Sequence, residues 1–205
     1  MSTIEVQEAA DRQASLEAIL KDEVLRMYQE VAETPDADFH FFHGREAAER
    51  FEYPTEWLDA APEAAVASFA GVGNPHLRAA IQPGDTVLDL GSGAGLDAIL
   101  AARSGARVIG VDMNPVMLEK ARENARRAGV TVDFRQGSLE KIPVDDASVN
   151  VILSNGVVNL SFQKRKVARE MMRVLEPGGR ISLTDIVSAK QLSESIVNDP
   201  KLWAA

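Results

Sequence analysis

The stretch VLDLGSGAGLD, residues 87–97, limits the fold of this chain more than any other segment. A short aliphatic run stops at Gly91, Gly93 and Gly95, and apolar residues at helical spacing follow in LDAILAARSG. That order reads as strand, tight turn and helix. Glycine lets the backbone turn sharply and lets a ligand approach main-chain atoms that a side chain would shield. The next apolar strand, RVIGVD, ends in Asp112, about 20 residues beyond the first glycine, where a carboxylate can accept both hydroxyls of a ribose.

The same grammar continues downstream. Asn114 and Pro115 offer an N-cap and a first-turn proline for a helix running to about Ala128. VTVDF is a third strand and SVNVIL a fourth; QKRKVAREMMRVL is a helix closed by Pro177-Gly178-Gly179, and RISLTDIV is a fifth strand. Short apolar strands separated by helices predict an α/β fold, a Rossmann-like, mainly parallel sheet with helices on both faces. In the last helix Val167, Met171, Val174 and Leu175 read as core, whereas Lys164, Arg165, Lys166 and Arg169 read as a solvated face.

The first 80 residues read differently. Leu16, Ile19, Leu20, Val24, Met27 and Val31 recur at spacings of three and four, which predicts an amphipathic helix over 15–32 with Ser15 as N-cap. Phe39, Phe41, Phe42, Phe51 and Tyr53 then place bulky surface in a short charged stretch, suited either to a lid over a pocket or to packing against the main domain. Short helices are expected over 62–69 and up to about Ile81, separated by the turn GVGNP. The expected division is an N-terminal helical, aromatic-rich cap over residues 1–80 and an α/β domain over 81–205.

Composition removes several classes of function. The chain of 205 residues is 45% hydrophobic, so it can build a core, and its net charge of -9 opposes a nucleic-acid surface. It contains no cysteine, which excludes disulfides, thiolate zinc sites and cysteine nucleophiles together. His40, His43 and His76 form no recognisable ligand set, so no metal is expected. No apolar run approaches the roughly 20 residues that cross a bilayer, and MSTIEVQEAADRQ has neither a basic nor an apolar leader region. The expectation is a cytoplasmic protein with a small-molecule substrate and no nucleic-acid or membrane partner. GSGAGLDA lacks the Gly-Lys-Ser/Thr of a phosphate-binding Walker loop, and bulky Leu96 stands against a nicotinamide dinucleotide site.

Three segments in order, DLGSGAG (89–95), VDMNPVML (111–118) and VLEPGGR (174–180), resemble the class I S-adenosylmethionine-dependent methyltransferases. The resemblance spans about residues 70–188. Within that group, GVGNP (71–75), ILSNGVVNL (152–160) and the ending NDPKLW (198–203) are most similar to arsenite methyltransferases and their relatives. The resemblance implies S-adenosylmethionine as cofactor. It places Asp89, Gly91, Ser92, Gly93 and Gly95 around the methionyl part, Asp112 on the ribose hydroxyls and Met113 against the adenine. Gln136, Gly137, Ser138 and Leu139 would line the adenine edge, with Ser138 standing where many relatives have an acidic residue. Asn155 falls beside the methionine end and the substrate pocket. Candidates for a base are His40 and His43, with Asn155 a further catalytic candidate.

Two departures shape the expected function. Arsenic methylation in the resembled family depends on thiolates, and Val72 and Gly156 stand where those relatives carry cysteine. The expectation is methyl transfer to an unidentified small molecule other than arsenite, or else a cofactor-binding or protein-interaction module that transfers nothing. The chain also stops after five clear strands, without the usual C-terminal strand pair. A partner subunit in a homo-oligomer, a fragment, or a reduced member of the family would each account for that.

Overall fold

The computed structural model describes residues 3–190 except 36 and 38, together with residue 199, and side chains from Ser15 onward. The ending NDPKLW therefore lies outside the described residues except for Asp199. Five strands, β1 (Thr86–Leu90), β2 (Arg107–Asp112), β3 (Val132–Gln136), β4 (Val149–Asn155) and β5 (Leu175–Thr184), form one sheet in the order β3-β2-β1-β4-β5. Every pairing is parallel. Parallel strands must be covered on both faces, and the residues alternate accordingly. Val87, Val151 and Leu153 enter one core with α6 (Leu96–Arg103) and α7 (Pro115–Ala128). Leu88, Leu90 and Ile152 enter the other with Val167, Met171 and Val174 of α8 (Lys164–Val174). This is the Rossmann-like layer order that the sequence predicts.

α7 starts where its capping chemistry places it. The Asn114 side chain accepts from the amides of Val116 and Met117 at 2.9 and 3.4 Å, Pro115 occupies the first turn, and Gly129 ends the helix with φ +68°. Two boundaries differ from the sequence reading. The first helix, α1, spans Thr3–Glu33, so Ser15 lies inside it and is no N-cap. The preceding EVQEAADRQA has strong helix formers but no apolar period, so spacing of apolar residues could not reveal it. Pro177-Gly178-Gly179, expected to close α8, is instead part of β5, which begins at Leu175 directly after the helix. The extra residues form an irregularity: Val149 pairs with Leu175 and Val151 already with Arg180, and Gly178 takes φ +83°.

The segment before the sheet contains α2 (Gly44–Arg50), α3 (Thr55–Ala60), α4 (Glu63–Ala67) and α5 (His76–Ala79). Ala47, Tyr53, Leu58, Val66 and Phe69 share the core of Val87 and Ile99. α1 lies across the end of the sheet beside α7, with Val31 and Ala32 packed on Ala94 and Met117. Its backbone is tied down by Asn114 Nδ2 donating to Leu25 O at 3.3 Å and Lys120 Nζ donating to Ala32 O at 2.8 Å. No helix among the described residues is long and apolar enough to cross a membrane.

Candidate functional site

Strand order reverses between β1 and β4, since β2 and β3 extend the sheet on one side and β4 and β5 on the other. An open α/β sheet leaves a crevice at that point, beyond the carboxyl ends of the strands. A cavity of about 320 Å³ lies there, with α1 over it. Its floor is the glycine turn. The amides of Gly91 and Ser92 both donate to Val111 O, at 2.7 and 3.0 Å, which folds the turn onto the end of β2. Gly93 has φ +48°, and a Cβ there would meet nothing within 4 Å, so this residue presents bare backbone to the cavity.

Asp112 holds the turn from the side. Its Oδ2 accepts from the Gly93 amide at 2.8 Å and its Oδ1 from the Asn114 amide at 2.8 Å. Burial pushes its carboxyl above the usual range, against the stabilising amides of Asn114, Gly93 and Met113. Asp89, only 2% exposed, is pushed well above that range by burial first, then by the charges of Asp97 and Asp112. Asp89 Oδ2 and the Ser92 hydroxyl are buried and accept or donate no hydrogen bond within the described protein, and both residues line the cavity. Buried polar atoms are rarely left so, and a pair of them on a cavity floor is a place where a ligand or water could supply the missing partners.

Most residues singled out from sequence meet in this cavity. Asp89, Gly91, Ser92 and Gly93 line its floor, Asp112 and Met113 one wall, Gly137, Ser138 and Leu139 the far edge, and Asn155 the opposite wall. Gly95 does not line it; this residue opens α6 and faces Phe134 and Ala121. Gln136 stands just behind the wall, where its Nε2 donates to Met113 O at 3.2 Å. His40 and His43 do not line the cavity either. His43 is bound through Nε2 to Pro35 O at 2.9 Å and meets Phe39 edge-on, and His40 meets Phe41 edge-on. The aromatic segment therefore packs upon itself and against Val31 of α1.

Tyr53, His76, Asp97 and Tyr28 are four residues of the site to which the sequence reading gave no role there. Asn155 is the centre of a network that reaches all but one of them. Its Oδ1 accepts from the amides of Val72 and Gly73, at 2.9 and 3.2 Å, and from the Thr184 hydroxyl at 2.7 Å. Its Nδ2 lies within donating distance of Gly73 O (2.9 Å), Tyr53 Oη (3.1 Å) and Asp97 Oδ2 (3.2 Å). Tyr53 in turn donates to Asp97 Oδ1 at 2.6 Å, and His76 Nε2 lies 3.1 Å from the same oxygen. The fourth, Tyr28 of α1, borders the cavity. Burial, then the charges of Asp112 and Asp185, push its phenol up to about 12, so it keeps its proton near neutrality and can donate. Asn155, with both ends of its amide engaged, is equipped to hold the 71–73 loop rather than to move a proton.

Comparison with known proteins agrees with this geometry. A family profile described as a methyltransferase domain matches residues 81–205. The arsenite methyltransferase of Halobacterium salinarum is 49% identical over 134 residues, covering 63% of this chain and 34% of that protein. The chain belongs to the S-adenosylmethionine-dependent methyltransferases. Within that family it is related to the arsenite methyltransferases but has no cysteine. The crystal structure of an arsenic(III) S-adenosylmethionine methyltransferase from Chlamydomonas reinhardtii superposes with a TM-score of 0.59 at 35% identity, over 77% of this chain and 53% of that one. The ribosomal protein L11 methyltransferase of Thermus thermophilus is 40% identical over 112 residues, 55% of this chain and 41% of that protein. This methyltransferase chain thus spans about a third to two fifths of the length of the curated relatives it matches.

Proposed function

We propose that the cavity above β1 and β4 binds S-adenosylmethionine and that the chain directs its methyl group to a small molecule other than arsenite. The observation that carries this reading is the glycine turn with open space over Gly93, flanked by Asp112 on one side and the partnerless oxygens of Asp89 and Ser92 on the other. These residues fit the cofactor. Asp112 is set to accept from a ribose at the end of β2, and Met113, Gly137, Ser138 and Leu139 offer a largely apolar slot for a purine. Asp89 and Ser92 can take donors from the methionine arm. When bound, the cofactor supplies an activated methyl on a sulfonium, so the protein need only orient the acceptor and exclude water. α1 suits the second task, because Val24, Leu25 and Tyr28 close the cavity from above.

The exclusion of arsenite rests on chemistry. Trivalent arsenic is soft and is held by sulfur donors. The resemblance aligns Val72 and Gly156 with the relatives' cysteines, and the two are neighbours: a Cβ on Gly156 would lie 3.3 Å from Val72 Cγ1. An isopropyl group and a hydrogen fill that place. Met113 and Met117 carry neutral thioethers, and Met117 is buried against α1. Methyl-labelled S-adenosylmethionine supplied with arsenite and glutathione is expected to yield no methylarsenite above a control lacking protein. The same label supplied with a pool of small metabolites is expected to enter the small-molecule fraction. Catalytic formation of methylarsenite, or cofactor binding with no transfer to any metabolite, would contradict the corresponding half of the proposal.

A further inference from the structure

The proposed cofactor contacts leave Asp97 unused, although it lines the cavity and is only 8% exposed. It sits in the first turn of α6, and three donors converge on it from behind: Tyr53 Oη and His76 Nε2 on Oδ1, and Asn155 Nδ2 on Oδ2. Tyr53 and His76 are themselves buried, so this support is rigid and dry. A group that only accepts suits such a position: an amide or a protonated acid would turn a donor toward at least one of these donors. A carboxylate has room for about four hydrogen bonds, and Asp97 uses three within the protein.

Asp89 and Ser92 line the same cavity as Asp97. Asp89 responds to the charge of Asp97 more than to any other charge, and its Oδ2, with the Ser92 hydroxyl, lacks a protein partner. Among the described lining residues the only basic one is Lys21, on α1. Two buried carboxylates facing one cavity repel each other, and the repulsion is relieved when one takes up a proton or when a cation lies between them.

We propose that Asp97, braced by Tyr53, His76 and Asn155, is a second anionic residue of the cofactor site and holds the α-ammonium of the methionine arm together with Asp89. Tyr53 and His76 then act as positioning residues, through Asp97. This rests on the reading of the cavity as the S-adenosylmethionine site. It extends that site beyond the glycine turn to residues contributed by the segment before the sheet.

The test compares two ligands by calorimetry: S-adenosylhomocysteine and its deamino analogue, in which hydrogen replaces the α-ammonium. The parent chain is expected to prefer the former. In Asp97→Asn the affinity for S-adenosylhomocysteine is expected to fall about 10–100-fold, the range for losing a charged hydrogen bond, while the deamino analogue binds as before. Binding of the deamino analogue also reports that the variant is folded; should Asp97→Asn not fold, Asp97→Ser takes its place. Equal weakening of both ligands would show a merely structural role and overturn the proposal, as would an unchanged affinity for S-adenosylhomocysteine. A parent chain that binds neither ligand would overturn the reading of the cavity itself.

Discussion

Asn155→Ala is expected to destabilise the fold by about 3 kcal/mol, the cost of leaving several buried polar groups without partners. The amide side chain serves the Val72 and Gly73 amides, the Thr184 hydroxyl, Gly73 O, Tyr53 Oη and Asp97 Oδ2, groups that come from four separate segments. No neighbouring side chain can replace both a donor and an acceptor at that point. Space is equally tight, since a Cβ on Gly71 would stand 2.3 Å from Asn155 Nδ2. For a chain of this size the loss corresponds to a fall in melting temperature of about 6–12 °C. Asn155→Asp should not rescue it, because a carboxylate keeps the acceptor but loses both donors and faces Asp97. Thermal melts of the three proteins check this; an alanine variant within 1 °C of the parent would show that water replaces the amide at no cost.

The second large effect is expected at Asp112. Alanine there removes the acceptor proposed for the ribose and also releases the Gly93 and Asn114 amides, which shape the floor of the cavity and the cap of α7. Affinity for S-adenosylhomocysteine should fall by about 1–3 kcal/mol, or about 5–150-fold, as a charged acceptor is lost from two hydroxyls. Far-ultraviolet circular dichroism establishes that the variant is folded, and calorimetry gives the dissociation constant. An unchanged constant in a folded variant would assign the strand-end carboxylate to loop structure alone.

These two residues illustrate what the sequence could and could not reveal. The Asn114-Pro115 cap works through neighbours within a few positions, and the glycine turn and Asp112 stand at a fixed offset within one strand, turn, helix and strand unit, so spacing and residue type carry the information. The strand and helix pattern from Thr86 onward was legible for the same reason, with apolar runs buried on both sides. Asn155 was legible as a position beside the pocket, but its partners were not. Tyr53, His76, Asp97 and Thr184 come from distant segments, and no periodicity links a tyrosine before α3 to an aspartate in the first turn of α6. His40 and His43 drew attention because imidazole is the usual base near neutral pH. The structure turns them toward Phe39, Phe41 and Pro35 O instead, and it is His76 that reaches the site. A signal for His76 did exist: it directly follows the GVGNP turn, which the resemblance already placed near the cofactor domain. The extent of α1 was hidden because its first turns lack an apolar period.

α1 and the short helices add what the glycine turn lacks by itself. The floor provides backbone, two carboxylates and a hydroxyl; the segment before the sheet provides a cover of Val24, Leu25 and Tyr28 and the brace behind Asp97. Relatives whose names point to arsenite and to a ribosomal protein both match this chain. Acceptor choice in this chain is therefore expected to reside in the cover and in the Val72–Gly156 neighbourhood, where the chemistry departs from the arsenic enzymes.

The measurement closest to the central claim is a calorimetric titration of the unmodified chain with S-adenosylhomocysteine. Low-to-mid micromolar affinity, about -7 to -8 kcal/mol, is expected for one ligand per chain. Absence of binding at millimolar ligand by a folded chain would contradict the assignment of the cavity, whatever the acceptor.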